Sequence, residues 1–189
     1  MTKKEVRQLA KQKIKEGKTQ QQTFEEIKET SDRPSEEIAN IVKQIPTLAA
    51  RQKNKTLNYV LIGLLALTIL SKMLAGIPIA LQDGIKSLPI IFILPIINIL
   101  MLWGVSTYSV GAHRVTGFLS LLALLRSLGD ILGKPFEPLV LVDLVLIGGM
   151  LFLGFYLNNK LTPGYDIVKE KYTDSQGRTK LRNKIKFED

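Results

Sequence analysis

Residues 57–157 are almost continuously apolar, and that run constrains everything else the chain can do. It is far too long for one core helix. Cut at its turn-forming positions, it yields pieces close to the roughly 20 apolar residues that cross a bilayer core. The longest stretch, residues 115–157, reads as an apolar hairpin joined through Gly133, Lys134, Pro135, Phe136, Glu137 and Pro138. Residues 1–55 and 158–189 are polar instead and hold nearly all of the formal +9 charge. The expected fold is an all-α membrane protein with four transmembrane helices near 57–75, 87–105, 112–132 and 139–157, forming a membrane domain at 56–158. A helical segment at 1–50 precedes it, and a short β-hairpin-like tail at 159–189 follows.

The first apolar run begins only after a long charged segment, so no signal peptide is expected and residues 57–75 should remain as a span. Within the N-terminal segment, Val6, Leu9, Ala10 and Ile14 form a thin apolar stripe on a basic helix that Gly17 ends. Such a helix suits an anionic membrane surface or an acidic partner, or it covers its neighbours as a solvated helix. Phe24 and Ile27 mark a second helix; Pro34 opens a third with Ile38, Ile41, Val42 and Ile45 on one face, and Pro46 closes it. So small a bundle needs something to lean on. Its helix-turn-helix look does not make it a nucleic-acid reader, because Glu25, Glu26, Glu29, Glu36 and Glu37 stand where a phosphate-facing surface would be basic. In the tail, Leu181, Asn183, Ile185 and Phe187 alternate on one side of a glycine-bearing turn, the pattern of a hairpin. An isolated hairpin is marginal in water, so it too must pack on something.

Orientation follows from Lys and Arg. Arg51, Lys53, Lys55, Arg114 and Lys160 flank one set of span ends, whereas the other loops balance Lys72, Lys86 and Lys134 with Asp83, Asp130 and Glu137. Both termini are therefore expected in the cytoplasm of a cell (plasma or inner) membrane protein. Tyr59, Trp103, Tyr108 and Tyr156 then fall at the same interface, as an aromatic belt.

Polar residues inside the spans are the remaining candidates. Asn98 in hydrocarbon seeks a partner on another helix, Pro95 should kink the second span, and Ala112, Thr116 and Ser120 make a small-residue face suited to close helix packing. Arg126 and Asp143 lie at similar depths on adjacent antiparallel helices and are expected to pair, with Asp130 one turn from Arg126. There is no cysteine and a single histidine, His113, which excludes thiolate chemistry and a histidine metal cluster. With no catalytic constellation or phosphate loop, neither an enzyme nor a cofactor is expected. The leading functional expectation is a self-associating membrane scaffold or adaptor whose cytoplasmic flanks recruit a protein partner. The alternative is a small oligomeric ion channel, transporter or membrane-permeabilising effector.

The topology can be tested directly, because the chain carries no background thiol. With single cysteines placed at Ser35, Asp83, Lys134 and Ser175, a membrane-impermeant thiol reagent on intact cells should label the middle two positions. Labelling at 35 or 175 would overturn the cytoplasmic placement of the ends.

Overall fold

Two capping boxes set the N-terminal helices. In α1 (Lys3–Lys15) the Thr2 hydroxyl accepts from the Glu5 amide and the Glu5 carboxylate accepts from the Thr2 amide; α2 (Gln20–Thr30) repeats this with Thr19 and Gln22. Each box satisfies two amides that a bare helix end leaves open. Gly17 ends the first helix region at φ +91, a conformation costly for a residue with a Cβ. In α3 (Ser35–Lys43) Pro34 takes the N-cap position, one residue before the first helical position expected of it. A further short helix, α4 (Leu48–Lys53), has no counterpart in the sequence reading.

The computed structural model describes residues 1–83, 88–93, 95–131, 138–162, 164–173 and 179–187, leaving aside the side chains at 79, 80, 82, 83, 88, 90, 130, 131, 138, 139, 172, 173 and 179–183. The chain is mostly helical with one two-stranded antiparallel sheet. It divides into two units, Met1–Gln52 with Lys160–Asp189, and Lys53–Asn159.

In the first unit the two ends of the chain share one core. Val6, Ala10 and Ile14 of α1, Phe24 and Ile27 of α2, and Ile38, Ala39 and Val42 of α3 bury together with Ile45. The stripe on α1 is thereby consumed inside the protein, which is the covering role of the two weighed for it. Strands β1 (Tyr165–Thr173) and β2 (Thr179–Phe187) pair with Tyr165 opposite Phe187 and Ile167 opposite Ile185. The period of two sends Ile185 and Phe187 into the helical core. Phe187 lies 5.9 Å from Phe24 and 5.6 Å from Tyr165, centroid to centroid. Gln21 reads the β2 backbone from α2: the Phe187 amide donates to its Oε1 at 3.0 Å, and its Nε2 donates to the Ile185 carbonyl at 3.4 Å. Gln20, itself buried, donates to the Ile45 and Val42 carbonyls and so closes the open end of α3. The helices and the hairpin, each expected to need support, support one another.

The second unit holds α5 (Lys55–Asp83), α6 (Leu88–Ile93), α7 (Ile96–Ser106), α8 (Val110–Ile131) and most of α9 (Pro138–Leu161). Two helical stretches, Lys55–Pro78 and Val140–Leu161, are long and apolar enough to cross a membrane. The other two expected spans do not reach that standard. The second is in two pieces on either side of Pro95, each too short alone, and α8 is diluted by His113, Arg114 and Arg126. Helix α5 also runs on through Pro78 to Asp83, past the expected end of the first span at 75, and α7 meets α8 through Thr107–Ser109. Tyr108 turns that corner at φ 55, while the Ser109 amide donates to the Gly104 carbonyl at 2.9 Å. The expected turns at 133–137 and 174–178 and the loop at 84–87 lie outside the described residues.

Phe187→Ala should cost about 3 kcal/mol, the usual penalty for emptying a buried aromatic site. Hydrogen exchange on the full chain checks it: amides of α2 and α3 should lose protection although the substitution sits in the distant tail.

Acid should loosen the same unit. Glu26 is held below the usual carboxylate range by hydrogen bonds from Lys18 and Lys13, and Glu37 by those from Lys3 and Arg33. Their contribution is therefore complete above the ordinary carboxylate range and disappears as pH falls through the lowered folded values. Glu26→Gln with Glu37→Gln should flatten that acid dependence of α1 and α2 exchange. An unchanged profile would show that these exposed pairs contribute nothing.

Candidate functional site

Beginning with the polar residues, the second unit sorts them into two places. The first is a buried hydrogen-bonded group. Asn58 on α5 and His113 on α8 are fully buried; His113 Nε2 lies 2.8 Å from Asn58 Oδ1 and His113 Nδ1 lies 2.8 Å from the Ser109 carbonyl. Asn58 Nδ2 donates to the Val105 carbonyl of α7 at 3.3 Å. Three helices are thus tied through one side-chain pair. The sequence reading took His113 only as a residue that cannot build a metal site and did not single out Asn58.

Around this group the helices come very close. A Cβ on Gly154 of α9 would sit 2.7 Å from the Gly117 nitrogen and 3.0 Å from the His113 carbonyl oxygen, and one on Gly104 would sit 2.5 Å from the Ala112 Cβ. Ala112 thus packs against α7, while the rest of its small-residue face, Thr116 and Ser120, does something else.

That second place is a cavity of about 500 Å³, lined by Leu65 to Ala75 on α5, Ile97 to Met101 on α7, Thr116 to Ala123 on α8 and Asp143 to Met150 on α9. The volume is that of a small-molecule site, for which about 300–1,000 Å³ is usual. Most of the wall is apolar. The polar groups converging on it are Thr68, Ser71, Lys72, Asn98, Thr116, Ser120 and Asp143. Lys72 Nζ donates to Asn98 Oδ1 at 2.7 Å, so Asn98 does find a partner on another helix, and that partner is charged. The Thr68 hydroxyl is occupied with the Leu64 carbonyl at 2.9 Å. Thr116 Oγ1 is different: it is buried and has no hydrogen-bond partner.

The charges fall elsewhere than depth alone suggested. Arg126 on α8 and Asp143 on α9 are both exposed, but only Asp143 lines the cavity. Among the described residues Asp143 forms an ion pair with neither Arg126 nor Lys72. The expected Arg126–Asp143 pair is therefore corrected: equal depth is not enough, since Asp143 takes part in the cavity wall and Arg126 does not. Asp130 lies on α8 with its side chain outside the described residues. Lys72, which the sequence places only among the loop charges, is the cation that shares the cavity with Asp143. Among the described residues no three His, Asp or Glu side chains gather, so the site offers opposite charges and hydroxyls rather than a metal cage.

No protein-family model, curated protein or solved structure matches the chain.

The Asn58–His113 bond predicts an asymmetric mutational response. Asn58→Leu should destabilise the second unit by about 1–3 kcal/mol, because it strands a buried ring nitrogen, whereas Asn58→Leu with His113→Leu should recover much of the loss. Thermal unfolding in detergent measures both. Equal or larger loss in the double variant would mean that the pair is not the source.

Proposed function

We propose that the chain is a four-span integral protein of the cell membrane, with both termini cytoplasmic, that binds a small polar solute in the cavity around Lys72 and Asp143 and carries it across the bilayer. The reading is non-enzymatic and requires no cofactor. Four spans are supported by what the shorter helices present outward: Phe92 and Ile93 on α6, Leu100 and Trp103 on α7, and Phe118, Leu122 and Leu125 on α8 are exposed, like Leu67, Leu70 and Phe152 on the two long apolar helices. An apolar surface that extensive suits lipid far better than water.

One observation carries the transport reading. Lys72 and Asp143, each costly in hydrocarbon, line a single cavity without touching. Lys72 stands about 25 Å along α5 from Lys55 and Thr116 only about 9 Å along α8 from Val110, at 1.5 Å per residue. With the termini inside, the charged end of the cavity faces outward. Inward of Leu65 and Thr116, along α5 and α8, stands the Asn58–His113 group, with the Gly117–Gly154 contact between α8 and α9. That arrangement suits an outward-facing state of a carrier.

A scaffold or adaptor role is the second reading. Its original motive, two flanks in need of a partner, is weaker once helices and hairpin share a core. What favours it is β1, where Ile167 and Val168 are each 47% exposed on a short sheet. In that reading the protein self-associates in the bilayer and its β1 surface docks a cytoplasmic protein.

Proteoliposomes with the full chain, challenged with a panel of small polar solutes and inorganic ions, should take up at least one above protein-free vesicles. Lys72→Met should cut that uptake by about tenfold, the effect of losing one charge-assisted hydrogen bond. No uptake across the panel by folded protein would overturn the transport reading. Co-purification with Val168→Lys as control would then test the second.

A further inference from the structure

The chemistry of the cavity also restricts what it takes. Lys72 Nζ spends one of its three N–H donors on Asn98 Oδ1, and Asp143 forms no ion pair among the described residues. Both side chains lie on the exposed side of this mostly apolar space, and opposite charges that border it without pairing leave room between them for a ligand. A structural pair would have closed that distance. An inorganic anion at Lys72 would be repelled by Asp143, and an inorganic cation at Asp143 would be repelled by Lys72, so either ion compensates one group at the expense of the other. A molecule carrying both charges, laid antiparallel to the two side chains, compensates both at once. Thr116 Oγ1, buried and unpartnered on the same wall, supplies a further polar contact deeper in.

Resting on the reading of this cavity as a solute site, we propose that its ligand is a zwitterion: an acid group held by the Lys72 ammonium, an ammonium held by the Asp143 carboxylate, and an apolar body against Leu119 and Met150. Two sources share this chemistry, a free amino-acid-like solute and a zwitterionic phospholipid headgroup entering from the bilayer.

The test uses the full chain in detergent and needs no transport. Titration calorimetry compares L-alanine with its two halves, propionate and ethylamine. L-alanine should bind about tenfold tighter than either half, and Asp143→Asn should bring it down to the level of propionate. In a second arm, native mass spectrometry of protein released from mixed phosphatidylethanolamine and phosphatidylglycerol micelles should show one retained phosphatidylethanolamine if the headgroup is the source, lost in Asp143→Asn. Preference for a zwitterion in either arm supports the proposal and names the source. If propionate or ethylamine binds as well as L-alanine, or nothing binds, and phosphatidylethanolamine is not preferred, the zwitterion assignment falls. Should Asp143→Asn fail to fold, the comparison of the three solutes and the two lipids on the unaltered protein decides alone. Flux of a simple ion in proteoliposomes alongside absent zwitterion preference would leave transport standing and remove only the ligand class.

Discussion

The bond between Asn58 and His113 is the point on which the second unit turns. Neither side chain has an exposed atom to offer water, so each must find its partner inside, and the bonds that do so bring α5, α7 and α8 together. Once those helices converge, whatever faces the junction has to be small. Gly104 against Ala112 and Gly117 against Gly154 meet that demand, since a single added Cβ at Gly154 would fall within 3.0 Å of backbone atoms. The cavity is the counterpart of this closeness. Beyond the glycine level, larger residues such as Leu65, Met101 and Met150 keep the helices apart and leave a space among them.

A different economy holds in the first unit, where no element has enough apolar surface to stand alone. Three helices with two or three buried residues each make a thin core, and a two-stranded sheet makes none. Joined, they enclose Phe24, Ile185 and Phe187 in one cluster. The joint is specific because Gln21 offers β2 both a donor and an acceptor, as a neighbouring strand would. The consequence is that residues far apart in the chain fold as one body, and the tail is part of the structure of the helices.

How much of this the sequence discloses depends on whether the signal is local. Gly17 and the alternation that ends in Ile185 and Phe187 are local signals, and the first helix and the second strand stand where those signals put them, within a residue or two, whereas the second helix begins earlier than Phe24 and Ile27 alone mark it. Pro34 and Pro95 also mark helix starts, each at an N-cap. Long-range facts leave no such trace. Nothing near Asn58 names His113 as its partner, and nothing near residue 24 names Phe187. Pro78 misleads in the other direction: a proline suggests a stop, yet in a long apolar helix the missing amide bond is a small part of the whole, and α5 continues to Asp83.

Arg126 and Asp143 show most clearly where a one-dimensional reading ends. Counting residues from a turn fixes how far along its helix a side chain lies, but a helix also turns by about 100° per residue, and contact needs both coordinates. On α8 the cavity wall is made by Thr116, Leu119, Ser120 and Ala123, an i, i+3, i+4, i+7 stripe. One heptad on, that stripe reaches residues 126 and 127, so Arg126 stands at its edge, below Leu119, yet is exposed and takes no part in the wall. On α9, Asp143 belongs to the stripe of Leu146, Ile147 and Met150, which does face the space. The opposite charge in the same wall comes from α5, at Lys72, more than sixty residues earlier in the chain. Two charges of matching depth thus fail to meet, and two that no local pattern connects share a cavity. It is the azimuth of Lys72 on α5 and Asp143 on α9, set by the helix packing, that places both in the wall of one cavity.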